Sequence, residues 1–167
     1  MKPVVIDNFL EIKSFQNLQN IMLKEIFYWF YSDTIDHSDE EGDKFQFTHS
    51  FYKKSGPSSF FYDTITPVLR RIKYKELFRI KANLLTRTSK IEPNTFHTDI
   101  QGNWGVIPYI TSIFYLNTND GYTEFEDGTK IESIENRWVS FPEDTKHRGT
   151  SCTNERVRVV INFNYLT

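Results

Sequence analysis

The sequence predicts a mainly β domain, an antiparallel sandwich or barrel buttressed by helices on one side. Three observations point there. Two stretches with apolar residues at helical spacing lie in the first half of the chain, and a series of short segments rich in β-branched and aromatic residues fills the second half. Turn residues separate those segments, and helices followed by many strands build a sheet structure with a helical flank. At 167 residues the chain is long enough for one compact core and short for two. The expectation is one domain spanning 1–167, with 1–76 as helical support and 77–167 as the β-barrel core.

Val4, Val5 and Ile6 open the chain as a short β-branched run, and Asp7 and Asn8 break it. Ile12, Phe15, Leu18, Met22 and Ile26 then recur every three or four positions, with Glu11, Lys13, Gln16, Gln19 and Lys24 between them, which predicts a helix with one buried stripe. Residues 32–44 hold Asp33, Asp36, Asp39, Glu40, Glu41 and Asp43 and read as an exposed loop. Helical spacing resumes over 58–74 through Phe61, Ile65, Val68, Leu69 and Ile72, with Ser58 or Ser59 as N-cap and a kink expected at Pro67. Strands are predicted over 77–88, 109–117, 122–125, 130–134, 137–141 and 156–165. No internal repeat or low-complexity tract is present.

The formal net charge of -2 gives no whole-molecule field that would draw the protein onto nucleic acid or an anionic membrane. Cys152 is the only cysteine, so an intramolecular disulfide and a cysteine-based zinc or iron-sulfur site are both excluded. A reducing, cytoplasmic setting is expected. The N-terminus lacks the apolar run of a signal peptide, and no segment has the uncharged apolar length that spans a bilayer.

The run Phe96-His97-Thr98-Asp99-Ile100 places an imidazole and a carboxylate two positions apart, so in extended backbone both project from one face. His147, just after a predicted strand, is the third candidate ligand. Two histidines and one carboxylate on one face of an iron leave the opposite positions open. His37 and Asp39 have the same spacing but sit in the acidic loop, where no strand fixes their geometry. Taken singly, His97 and Asp99 also fit a capped turn, and His147 a surface loop.

A dicarboxylate that chelates iron at one end needs a fixed cation at the other, and the planar fork of Arg suits a carboxylate. Arg156 and Arg158 share one face of the last strand with Val160 and Asn162, so parity does not separate them. Arg158, enclosed by Val157 and Val159, is the better placed for burial, whereas Arg156 abuts Thr153, Asn154 and Glu155.

From about residue 78 to the C-terminus the chain resembles the Fe(II)/2-oxoglutarate-dependent oxygenase superfamily, especially its prolyl-hydroxylase-like branch and short bacteriophage-encoded members. The resemblance rests on His97-Thr98-Asp99, the apolar run Thr111 through Tyr115-Leu116-Asn117, Gly121-Tyr122-Thr123-Glu124-Phe125, Phe141-Pro142 before His147, and the Arg158 strand. It implies a double-stranded β-helix, a cupin-like jelly-roll barrel with the metal at its open end. It also implies Fe(II) held by His97, Asp99 and His147, 2-oxoglutarate as cosubstrate, and ascorbate as a reductant. Arg158 then resembles the residue that grips the distal carboxylate, and Tyr115 the tyrosine that hydrogen-bonds the cosubstrate; a core aromatic of the sheet is the alternative for Tyr115. Tyr122 stands where the family has the second glycine of a pair, and Arg158 where collagen-type prolyl hydroxylases carry Lys.

The implied activity is hydroxylation of a C–H bond, with release of succinate and CO2. A non-catalytic jelly-roll or cupin-like binding domain is the alternative, and a zinc hydrolase with the same three ligands a further one that leaves Arg158 without a role. A protein side chain, prolyl or other, or a small molecule is favoured over nucleic acid as substrate. The entrance is expected to be shaped by 32–44 and 100–108. There Trp104 and Tyr109 either stack on a ring or pack beneath the loop, and the acidic run suggests a cationic substrate.

Overall fold

A computed structural model describes residues 2–24, 26–35, 44–100 and 109–167. The eleven strands are β1 Val4–Ile6, β2 Phe30–Ser32, β3 Gln46–Lys53, β4 Gly56–Pro57, β5 Glu76–Thr86, β6 Tyr109–Tyr115, β7 Tyr122–Phe125, β8 Lys130–Glu132, β9 Trp138–Pro142, β10 His147–Gly149 and β11 Val157–Leu166. They form an eight-stranded antiparallel sheet in the order β1-β9-β6-β11-β5-β3-β2, with β4 beside β3, and a three-stranded sheet β10-β7-β8. Mainly β structure in antiparallel sheets is the architecture expected of a jelly roll.

Alternation along the strands divides the protein into two cores. On β11, Val159, Ile161, Phe163 and Tyr165 turn to the large core shared with the helical side, while Arg158, Val160, Asn162 and Asn164 turn to the interior between the sheets. A smaller apolar cluster of Ile113, Tyr115, Phe125, Val139, Phe141 and Val160 packs against that interior, which Ile113 and Val160 line. Both faces of β11 are therefore buried, and its neighbours β5 and β6 pair with it along most of its length.

The helical flank is smaller than the sequence predicts. The first helix, α1, covers Ile12–Met22 and buries Phe15, Leu18 and Met22. Ile12 and Ile26, counted in the same stripe, are exposed: Ile12 is the first residue of the helix, and Ile26 lies beyond its end at Leu23. Over 58–74 the expected helix is reduced to a 3-10 turn, Tyr62–Ile65, and one α turn, α2, Thr66–Leu69. Pro67 explains this: its ring excludes the carbonyl four residues back, so the helix restarts with proline in its first turn. Within 1–76, assigned to helical support, β3 instead pairs with β5 as part of the main sheet. No helix among the described residues is long and apolar enough to cross a membrane.

One buried residue ties the N-terminal segment to the sheet. Asn136 adopts φ 58°, its Nδ2 donates to the Leu10 carbonyl at 2.8 Å, and its Oδ1 accepts from the Leu10 amide at 2.8 Å. Asn tolerates the left-handed region better than other non-glycine residues. Asn136→Ala adds strain and strands two backbone groups, so it lowers unfolding free energy by about 2–4 kcal/mol in denaturant titration. Asn136→Gly, which relieves the strain, is expected to lose less; equal stability of all three proteins would contradict this role.

Candidate metal centre

Backbone pairing brings the two histidines together. The His97 amide donates to the His147 carbonyl and the His147 amide to the His97 carbonyl, both at 3.0 Å, which forms an antiparallel bridge between segments fifty residues apart. The imidazole centroids lie 4.9 Å apart. In each ring Nδ1 faces the carbonyl two residues earlier, Thr95 at 3.0 Å and Thr145 at 3.1 Å. A carbonyl only accepts, so each Nδ1 carries the proton and each Nε2 the lone pair. Hydrogen bonds of this kind are the usual way a ligating imidazole is oriented.

Asp99 completes the group: one ligand atom from each of His97, Asp99 and His147 lies within 4.8 Å of the others. Its carboxylate accepts from Asn164 Nδ2 at 3.1 Å and from Asn162 Nδ2 at 3.4 Å, and pairs with Arg79 at 3.2 Å. Burial pushes the Asp99 carboxyl up, but Arg79, His147, Asn164 and His97 together outweigh it and bring the pKa down to about 2. Asp99 is thus an anion at any ordinary pH. Burial pulls His147 below its usual value, with Asp99 opposing, which favours the neutral ring that a metal requires.

Arg79 reaches Asp99 from the cavity face of β5, which it shares by plain alternation with Lys81, Asn83 and Leu85. Pairing shifts between Asn164 and Tyr165, so Phe78 is an extra residue on the β5 side, and both Phe78 and Arg79 line the cavity. Such bulges re-aim a side chain.

The cavity, of about 460 Å³, runs between the sheets from this group to Arg158. Arg158 is 4% exposed. Its Nε donates to Ser133 Oγ at 2.8 Å and its Nη2 to Thr123 Oγ1 at 3.2 Å, and its guanidinium carbon stands 5.7 Å from the centroid of the Tyr115 ring. Among the described residues no carboxylate pairs with it. A buried guanidinium held only by hydroxyls is costly unless an anion joins it. Arg156, the alternative candidate, is exposed.

Two glycines make room for this side chain. A Cβ on Gly121 would sit 2.7 Å from Arg158 Cδ and 2.6 Å from the Ser151 carbonyl, and one on Gly149 would sit 3.2 Å from Arg158 Nη1. The adjacent Tyr122 has no such constraint, since its ring packs under Lys130 at 4.4 Å, so a tyrosine fits in place of a second glycine.

Tyr115 is fully buried behind Thr123. Its hydroxyl donates to Thr123 Oγ1 at 2.7 Å, and burial, first among several influences, keeps the phenol protonated by raising its pKa. Thr123, not Tyr115, lines the cavity. Because Thr123 Oγ1 accepts from both Tyr115 and Arg158, its own O–H is left to donate.

Sequence reasoning missed Thr123, Ser133, Arg79, Asn162 and Asn164 in these roles. The alternation that placed Arg158 and Asn162 on one face extends to Asn164, and alternation along β5 likewise turns Arg79 inward with Lys81 and Asn83. Tyr109 packs on Phe78, with centroids 5.6 Å apart, and is 4% exposed, which is packing rather than an open stacking surface. His37, Asp39, Trp104 and most of the expected entrance segments lie outside the described residues.

No protein-family model matches the sequence, and no curated protein is similar to it. Solved structures are. A viral collagen prolyl hydroxylase from Paramecium Bursaria Chlorella virus-1, in its 2OG complex, aligns with a TM-score of 0.59 at 15% identity, covering 100% of this chain and 97% of that one. A Pseudomonas putida prolyl-4-hydroxylase gives 0.65 at 12% identity, with 99% and 92% covered. The non-heme alpha ketoglutarate dependent epimerase SnoN from nogalamycin biosynthesis gives 0.70 at 12% identity, with 98% and 77% covered. The chain therefore has the fold of the 2OG-Fe(II) oxygenases, and its structural neighbours are members of that family, viral and bacterial prolyl hydroxylases among them.

Proposed function

We propose that the protein is an Fe(II)/2-oxoglutarate-dependent dioxygenase that hydroxylates a C–H bond, releasing succinate and CO2. The observation that carries this reading is the pairing, in one cavity, of a two-histidine, one-carboxylate cluster with a buried arginine that has no carboxylate partner among the described residues. The donor set fits ferrous iron, since two imidazoles and a carboxylate on one face are the ligand class of non-haem oxygenases. The arginine fits the far carboxylate of a five-carbon diacid. A zinc hydrolase would use the first feature and leave the second unexplained, and a pure binding domain has no need of a tuned ligand set. An epimerase shares the fold, so the reaction is argued from the site.

When bound, iron supplies oxygen activation coupled to oxidative decarboxylation of 2-oxoglutarate. The protein does the rest. His97 and His147 present Nε2 lone pairs, and Asp99 an anionic oxygen whose direction Asn162, Asn164 and Arg79 set. Arg158 would bind the distal carboxylate, with the Thr123 hydroxyl donating beside it. Tyr115 is a positioning residue that holds Thr123 and lies against the guanidinium. Leu85, Ile113 and Val160 line the space between and limit water.

His97→Ala or Asp99→Ala is expected to weaken Fe(II) binding at least roughly a hundredfold and to abolish conversion of 2-oxoglutarate to succinate under air. Undiminished turnover in either variant would contradict the ligand assignment. Arg158→Met is expected to raise the Kd for 2-oxoglutarate roughly tenfold to a hundredfold while leaving metal affinity unchanged. Gly121→Ala should reproduce part of that loss by displacing Arg158; calorimetric titration with Mn(II) in place of iron reads both, and wild-type affinity in Arg158→Met would remove the residue from the cosubstrate site.

A further inference from the structure

The cavity holds a third cation, beside Arg79 and Arg158, which the proposed reaction does not use. Lys81 lies on β5 between Arg79 and Asn83, on the face that turns to the cavity, and lines it. Arg79 is already engaged by Asp99 and by Asn164 Oδ1 at 3.1 Å, whereas among the described residues Lys81 has no hydrogen-bond or ion-pair partner. Burial first, and then Arg79, lower its pKa, with Asp99 opposing. An ammonium in that position gains from any anion that reaches it.

Lys81 stands apart from Arg158. It is the cross-strand partner of Asn162, whereas Arg158 faces Leu85. Four residues of extended chain, roughly 13 Å, separate those two levels of β5. Asn162 donates to Asp99, so Lys81 belongs to the metal end of the cavity. The same asparagine carries a buried Oδ1 with no hydrogen-bond partner, and an orphaned acceptor of this kind calls for a donor.

The charge balance points the same way. Arg79, Lys81 and Arg158 face a single carboxylate, Asp99, among the described lining residues. A ferrous ion and a dicarboxylate carry equal and opposite charge, so loading the site with both leaves the excess of positive charge in place.

We propose that Lys81 anchors an anionic group of the substrate, a carboxylate or a phosphate, beside the metal centre, with Asn162 Oδ1 accepting from a neighbouring N–H or O–H of the same molecule. This assignment rests on the oxygenase reading of the site and narrows it to acidic substrates. It opposes the expectation of a cationic substrate drawn from the acidic run at 32–44, most of which lies outside the described residues.

The test is a calorimetric titration of the full chain, loaded without oxygen with Mn(II) and saturating 2-oxoglutarate, against a matched set of probes. These are 3-phenylpropionic acid, its primary amide, 3-phenylpropylamine, phenyl phosphate and phenol. The expected result is at least roughly tenfold tighter binding of the acid than of the amide or amine, of phenyl phosphate than of phenol, or of both. Whichever anion binds more tightly identifies the group. Lys81→Met should abolish the preference while Mn(II) and 2-oxoglutarate still bind, and Lys81→Arg should retain it. Equal binding of acid and amide with equal binding of phosphate and phenol, no binding by either anion, tighter binding of the amine, or a preference that survives in Lys81→Met overturns the proposal. Failure of Mn(II) and 2-oxoglutarate to bind the wild type overturns the oxygenase reading and this one with it, which distinguishes the two failures.

Discussion

Two backbone hydrogen bonds between His97 and His147 hold the site together. They fix the relative positions of two imidazoles that come from a loop and from the edge of the small sheet, and each ring is then turned by a carbonyl two residues earlier. Asp99 follows, because it lies two residues along the same segment and is received by Asn162 and Asn164 of the longest buried strand pair. The direction of these three side chains is thus a consequence of main-chain pairing and amide contacts, which are stiffer than side-chain packing alone.

The opposite end of the cavity obeys a different logic. Arg158 is buried at a cost, and the fold lowers that cost with hydroxyls from Thr123 and Ser133 and with the face of Tyr115, while no carboxylate among the described residues pairs with it. An internal counter-ion would neutralise the guanidinium and compete with any ligand. Gly121 and Gly149 exist at this end for steric reasons: each leaves the volume that the arginine occupies. β11 joins the two ends, presenting Arg158, Val160, Asn162 and Asn164 in order along one face.

Much of this was legible in the sequence because strand period and side-chain chemistry act locally. The alternation of β11 put Arg156 and Arg158 on one face and the flanking valines favoured Arg158, while the spacing of His97 and Asp99 put both on one side of the chain. What sequence reading missed depends on contacts between distant segments. The helix expected over 58–74 fails at Pro67, whose effect outweighs the apolar spacing around it. The strand 46–53 shows Phe47, His49 and Phe51 at period two, a signal that was readable and that the helical reading of the first half obscured. Arg79 turns inward by the same alternation as Lys81 and Asn83, but its partner Asp99 comes from a distant segment, and no propensity announces the bulge that brings Phe78 to the cavity wall. Tyr115 sits one layer behind the place expected of it, because Thr123 occupies the wall.

The central claim is that one cavity binds a metal and a dicarboxylate together, with the metal cluster at one end and Arg158 at the other. Binding to adjoining sites that share a ligand is coupled, and the coupling is reciprocal. The most direct measurement is the affinity of the wild-type protein for 2-oxoglutarate, taken without oxygen in the presence and absence of Fe(II). A Kd at least roughly tenfold lower with iron is expected, with one ion and one diacid per chain. An affinity indifferent to iron would contradict it.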